Sequence, residues 1–75
     1  MQNTLEIKWK RRHHSLILFA EVCEREKRFV CEIEKIDDAF AYRVFRNSRI
    51  NTIGNAKTEE KAKEICIDII EKFLS

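Results

Sequence analysis

The chain has 75 residues, 44% hydrophobic and 37% charged, with 15 basic against 13 acidic side chains and a formal net charge of +2. That length holds one domain with one modest core, and the mixture is too apolar for a disordered tail and too evenly charged for a membrane protein. So balanced a charge supplies no whole-molecule field to draw nucleic acid, and residues 1–75 are expected to form a single small α+β domain.

From the N-terminus, Leu5, Ile7 and Trp9 alternate with Glu6, Lys8 and Lys10, the period of a strand with one apolar face. The basic run from Lys10 to His14 interrupts it. Further strands are expected over residues 15–23, 28–36, 40–46 and, shorter, 50–53. Glu24 to Lys27, Asp37-Asp38 and Asn47-Ser48 separate them. With no proline and only Gly54 as glycine, the connections must be short.

Residues 58–74 then change to the helical period. Ala62, Ile65, Cys66, Ile69, Ile70, Phe73 and Leu74 make one continuous apolar face, opposite Glu60, Lys61, Lys63, Glu64, Asp68, Glu71 and Lys72. Thr58 is placed to cap the helix, and Glu59 and Glu60 sit where its dipole favours negative charge. Lys61 at the third helical position rules out a capping box.

Register follows from the turns, because a slip of one residue sends a strand's whole apolar set to the wrong face. Closing over Arg25-Glu26 sets Val22 opposite Phe29, Ala20 opposite Cys31 and Leu18 opposite Ile33. Closing over Asp37-Asp38 sets Ile33 opposite Tyr42, Cys31 opposite Val44 and Glu32 opposite Arg43. Apolar meets apolar and charge meets opposite charge. Closing over Asn47-Ser48 sets Ile53 beside Tyr42, and a loop over residues 11–14 sets Ile7 beside Leu18 and Trp9 beside Leu16.

The expected architecture is therefore a two-layer antiparallel β-meander of four to five strands packed on one C-terminal helix, β-β-β-β(-β)-α. Its inner face collects Leu5, Ile7, Trp9, Leu16, Leu18, Ala20, Val22, Phe29, Cys31, Ile33, Phe40, Tyr42, Val44 and Ile53. One helix is narrower than five strands, so some inner residue near Trp9 or Phe40 is expected to need cover from a loop or a partner.

The outer face carries Ile17, Phe19, Glu21, Val30, Glu32, Glu34, Arg43, Phe45, Ile50 and Thr52. Ile17, Phe19, Val30, Phe45 and Ile50 form the candidate protein interface, because a contiguous apolar band on a face no helix covers marks an interaction surface. Lys8, Lys10, Arg11, Arg12, Arg28 and Arg43 are the candidate nucleic-acid contacts, since such cations supply most non-specific affinity for phosphates. The basic run also suits a charged edge that discourages sheet-to-sheet pairing, and Glu6, Glu21 and Glu24 dilute its field. Trp9 points inward and is read as core.

No chemistry-bearing constellation stands out. His13 and His14 are adjacent, so along a strand they face opposite ways, and no third metal ligand lies at a suitable spacing. Cys31 and Cys66 fall on the inner face and Cys23 near a hairpin end, with no CxxC among them. An odd count without framework spacing suits a reducing compartment. There is no phosphate loop, triad or cofactor motif, so no catalytic, metal or cofactor residue is assigned. No apolar window approaches the roughly 18 residues of a membrane span, and the first ten residues lack a signal peptide's apolar core; a cytoplasmic location without membrane partner is expected.

The stretch from Gly54 to Lys63 resembles the end of a double-stranded-RNA-binding domain, with matches at Gly54, Thr58, Ala62 and Lys63. That family's phosphate-binding lysines are replaced by Glu59 and Glu60, and its first helix by a strand. The β-β-β-α order is also similar to the arm-type DNA-binding domain of tyrosine integrases, which reads the major groove with its outer sheet face. Here that face offers Phe19, Val30, Phe45, Glu21, Glu32 and Glu34, so both resemblances are ones of geometry. The sequence favours a small non-enzymatic protein-binding module, an adaptor or stoichiometric inhibitor of the kind phages direct at larger complexes, acting on a protein partner or as a homodimer. The alternative is a nucleic-acid-binding domain using the basic N-terminal hairpin.

Overall fold

A computed structural model describes residues 7–11, 17–24 and 26–74. Leu5, Arg12, His13, His14 and Leu16 lie outside the described residues. The elements are β1 Lys10–Arg11, β2 Ile17–Glu24, β3 Lys27–Ile36, β4 Ala39–Arg46, β5 Arg49–Ala56 and α1 Glu59–Leu74. The strands form one antiparallel sheet in the order β1-β2-β3-β4-β5, followed by the helix. This is the α+β meander the alternation pattern implies.

From β2 to β5 each turn holds at least one residue in left-handed backbone, which aspartate and asparagine tolerate better than glutamate or serine. Glu26, Asp37, Asn47 and Ser48 have φ of 64°, 54°, 49° and 71°. Asn47 and Ser48 together make the two-residue connection whose twist matches paired strands. Asn47 also ties that turn to β3. Its N–H donates to the Arg28 carbonyl at 2.8 Å, and its Oδ1 accepts from the Arg28 N–H at 3.1 Å.

The central registers stand as read from the sequence. Val22 faces Phe29, Ala20 faces Cys31 and Leu18 faces Ile33, while Ile33 faces Tyr42, Cys31 faces Val44 and Glu32 faces Arg43. The outer strands differ. In β1 it is Arg11, not Ile7, that lies opposite Leu18, and Lys10 lies opposite Phe19. The displacement is an even number of residues, so faces are preserved and Ile7 and Trp9 still pack against the core.

The change in β5 has larger consequences. Phe45 pairs with Ile50 but Val44 pairs with Thr52, so Asn51 is an extra residue. A bulge of this kind reverses the facing of everything beyond it. Thr52 therefore lies on the inner face, and Ile53 lies opposite Arg43 on the outer face, 66% exposed. Both placements are opposite to the uninterrupted alternation. Gly54, in turn, comes opposite Tyr42. A Cβ at Gly54 would lie 2.5 Å from Tyr42 Cζ, so the glycine makes room for the ring.

α1 lies over β3, β4 and β5. The Lys61 N–H donates to Thr58 Oγ1 at 3.0 Å, which is the expected N-cap. Ala62, Cys66 and Ile70 are fully buried against Phe29, Cys31, Ile33 and Val44. Phe73 stacks on Phe29 with centroids 5.8 Å apart, and the Arg46 guanidinium lies 4.7 Å from the centre of the Phe73 ring. Trp9 and Phe40 are half-buried against this cluster. Among the described residues the large hydrophobics that remain exposed, Ile36, Ile50 and Ile53, belong to β3 or β5.

The bulge makes a direct stability prediction. Ile70→Ala should cost about 2–5 kcal/mol, as truncations of closed core sites do. Ile53→Thr should stay within about 0.5 kcal/mol, as on an open surface. Urea unfolding measures both. A core-sized loss at Ile53 would mean the bulge is absent and the simple alternation correct.

Candidate protein interface

The outer face is organised in cross-strand rows. One row runs Glu21, Val30, Phe45, Ile50, and the next runs Lys10, Phe19, Glu32, Arg43, Ile53. Ile17 lies two residues from Phe19 on the same face of β2, opposite Glu34. Of the candidate interface residues, Ile17, Phe19, Val30 and Phe45 are half-buried and Ile50 is 61% exposed. Ile53 joins them beside Arg43, so the band continues along β5. Uninterrupted alternation hides this. The signal that could have shown it is Gly54, since a Tyr42 ring lying across the neighbouring strand needs a partner without a side chain.

Ion pairs border the band. The Arg43 Nε–H donates to Glu32 Oε1 at 3.0 Å, and its Nη2 reaches Glu34 Oε1 at 3.4 Å. Arg43 and Glu32 retain 27% and 22% of their side-chain exposure, so this guanidinium is held between two carboxylates in a partly closed setting. Arg28 pairs with Glu21 at the other side of the band. Neighbouring hydrophobics thus lie among charges already matched within the chain.

Of the described candidate nucleic-acid contacts, Lys10, Arg28 and Arg43 share the outer side of the sheet and Arg11 does not. Arg11 points to the helix side, where its Nη2 lies 3.4 Å from Glu59 Oε1. Lys10, Arg28 and Arg43 belong to the outer side of the sheet, and the latter two are in ion pairs. Lys8 and Lys10 are exposed. The helix start that resembles the RNA-binding motif presents Glu59, paired with Lys63 at 3.3 Å, and Glu60, 82% exposed at its side chain.

Cys31 and Cys66 are both fully buried and share a side-chain hydrogen bond across the strand-helix interface. That bond, then burial, then the charge on Cys66 push the Cys31 thiol up. The same bond lowers Cys66 against the opposing effect of burial. Enclosure keeps either thiol from meeting a substrate. Cys23 is exposed on β2. Among the described residues no three His, Cys, Asp or Glu side chains converge as a metal-binding group. An open hollow of about 380 Å³ along the outer side of α1 is lined by Lys61, Glu64, Ile65, Ile67, Asp68 and Glu71.

No protein-family model, curated protein or solved structure matches the chain. The residues themselves therefore carry the functional argument.

Thiol titration checks the packing of this interior. In native protein a disulfide reagent should label one cysteine promptly and the other two only at the rate of opening, whereas denaturant should release all three together. Prompt reaction of two or three native thiols would show that the helix does not close over β3.

Proposed function

We propose that this chain is a small protein-binding module without catalytic activity, an adaptor or stoichiometric inhibitor, which engages its partner through the outer face of the sheet. The observation that carries the reading is the exposure of Ile50 and Ile53, at 61% and 66%, beside half-buried Val30 and Phe45. α1 is committed to the opposite face and cannot reach them. Large apolar side chains contribute roughly 1.5–3 kcal/mol each when fully buried. Four of them bring at most roughly 6–12 kcal/mol before the cost of association, against the about 8 kcal/mol net of a micromolar contact.

The ion pairing of the cations supports a protein partner over nucleic acid. Arg11, Arg28 and Arg43 already neutralise carboxylates of the chain, and a phosphate backbone brought to the outer face would meet Glu21, Glu32 and Glu34. A second copy of the chain is one partner that fits, because a two-fold axis would set one apolar band against another.

Ile50→Lys combined with Ile53→Lys tests the surface without touching the core. Sedimentation should show self-association of the parent chain, or affinity capture should yield a defined host protein. In the double variant that contact should weaken at least ten-fold while the melting temperature holds. A parent chain monomeric at every concentration, with a captured partner indifferent to both lysines, would refute the reading. Steeply salt-dependent mobility shifts with DNA or RNA would favour nucleic acid instead.

A further inference from the structure

The two edges of the sheet are unequal. β1 spans two residues and β5 spans eight. Among the described residues no strand pairs with the outer side of β5. Beyond the bulge at Asn51, the strand runs in regular register from Thr52 to Ala56 against β4. It contains no proline, so alternate N–H and C=O groups along this stretch are available for another strand. Ile50 and Ile53 stand on the outer face directly beside that edge.

The charge along β4 and β5 has one sign, bounded by Asp37-Asp38 before it and Glu59-Glu60 after it. Residues 39–58 hold Arg43, Arg46, Arg49 and Lys57 and no aspartate or glutamate. Arg43 is matched by Glu32 and Glu34, and Arg46 stacks over Phe73. Arg49 and Lys57, at the two ends of β5, are exposed and have no acidic partner among the described residues.

We propose that β5 takes an extended acidic segment of a partner protein by strand addition. The segment's main chain pairs along Thr52–Ala56, its apolar side chains pack on Ile50 and Ile53, and its carboxylates meet Arg49 and Lys57. This inference rests on the protein-binding reading and names the chemistry of the partner. A second copy brings no carboxylate to this edge, since residues 49–57 hold Arg49 and Lys57 and neither aspartate nor glutamate. Nucleic acid fits poorly, because two cations a strand apart offer few phosphate contacts and none of the main-chain pairing.

The probe is a fluorescein-labelled octapeptide in which alternating valine and threonine are flanked by aspartate pairs. Anisotropy should report micromolar binding, at least ten-fold weaker for the same peptide with lysine in place of aspartate. A central proline in the peptide should abolish it. Arg49→Glu with Lys57→Glu, both at exposed positions, should weaken the acidic peptide at least ten-fold and admit the basic one. Hydrogen exchange should slow at β5 amides on adding the peptide. Equal binding of acidic and basic peptides, no binding of either, or protection away from β5 would overturn the inference. So would self-association lost with the charge reversal, which would assign the edge to a second copy, or DNA binding lost with it. Phe45→Lys separates the two readings, since it should weaken the outer-face contact and spare the peptide. Peptide binding absent while the Ile50 and Ile53 lysines still abolish partner capture would sink strand addition alone.

Discussion

One helix can close only one face of a five-stranded sheet, and most of this structure is a consequence of that mismatch. An α-helix is about 10 Å across, while five strands spaced by about 4.8 Å span roughly twice that. α1 therefore sits over β3, β4 and β5, and the Ile7 to Trp9 segment packs on the same cluster. Small side chains at the contact, Ala62 and Cys66 on the helix and Cys31 on β3, allow the two layers to approach closely. The fully buried set is correspondingly compact, with Phe29, Ile33, Ile70 and Val44 as its largest members alongside the two thiols. Among the described residues nothing comparable covers the other face, which divides between matched charges and an apolar band.

How far this was legible in the sequence depends on the connection. β2, β3 and β4 are joined by turns of two residues, and each turn transmits register rigidly to the next strand. The alternation from Leu18 to Val44 could therefore be read through to the correct pairs. β1 is joined to β2 by a longer connection, which fixes no register, and there only the face of Trp9 could be inferred. In β5 the alternation rule itself misleads. Ile50 and Ile53 are three residues apart, a spacing that regular pleating sends to opposite faces, and the Asn51 bulge brings both to the same one. Outer-face placement was thus legible for Ile17, Phe19, Val30, Phe45 and Ile50 but not for Ile53. The deciding constraint, the fit of Tyr42 over Gly54, acts between strands and leaves no periodic trace.

Charge is also arranged by strand. The outer row Glu32, Arg43, Glu34 and the pair Glu21 with Arg28 neutralise the central strands locally. The exposed Glu21–Arg28 pair contributes little to stability, typically below about 1 kcal/mol, and the larger effect of the whole set is on what the face will accept. A polyanion gains little from cations that already have carboxylate partners. An apolar partner surface meets charges whose desolvation is partly compensated in place. A net charge of +2 conceals this division, because the acid-free stretch 39–58 is balanced by acids in β2, β3 and α1.

The long edge of β5 is open to pairing, since exposed edges invite any strand at hand. Two devices act on it. The bulge at Asn51 shortens the regular stretch to Thr52–Ala56, and Arg49 and Lys57 place a positive charge at each end. Both oppose promiscuous pairing, but they are not equivalent in what they exclude. A bulge discriminates by geometry and treats all incoming strands alike. The charges discriminate by sign: they gain nothing from the chain's own β5, which has no acid to offer, and favour a strand that carries carboxylates. Selectivity is a difference between two affinities, and at this edge the difference comes from the attraction of Arg49 and Lys57 for an acidic strand.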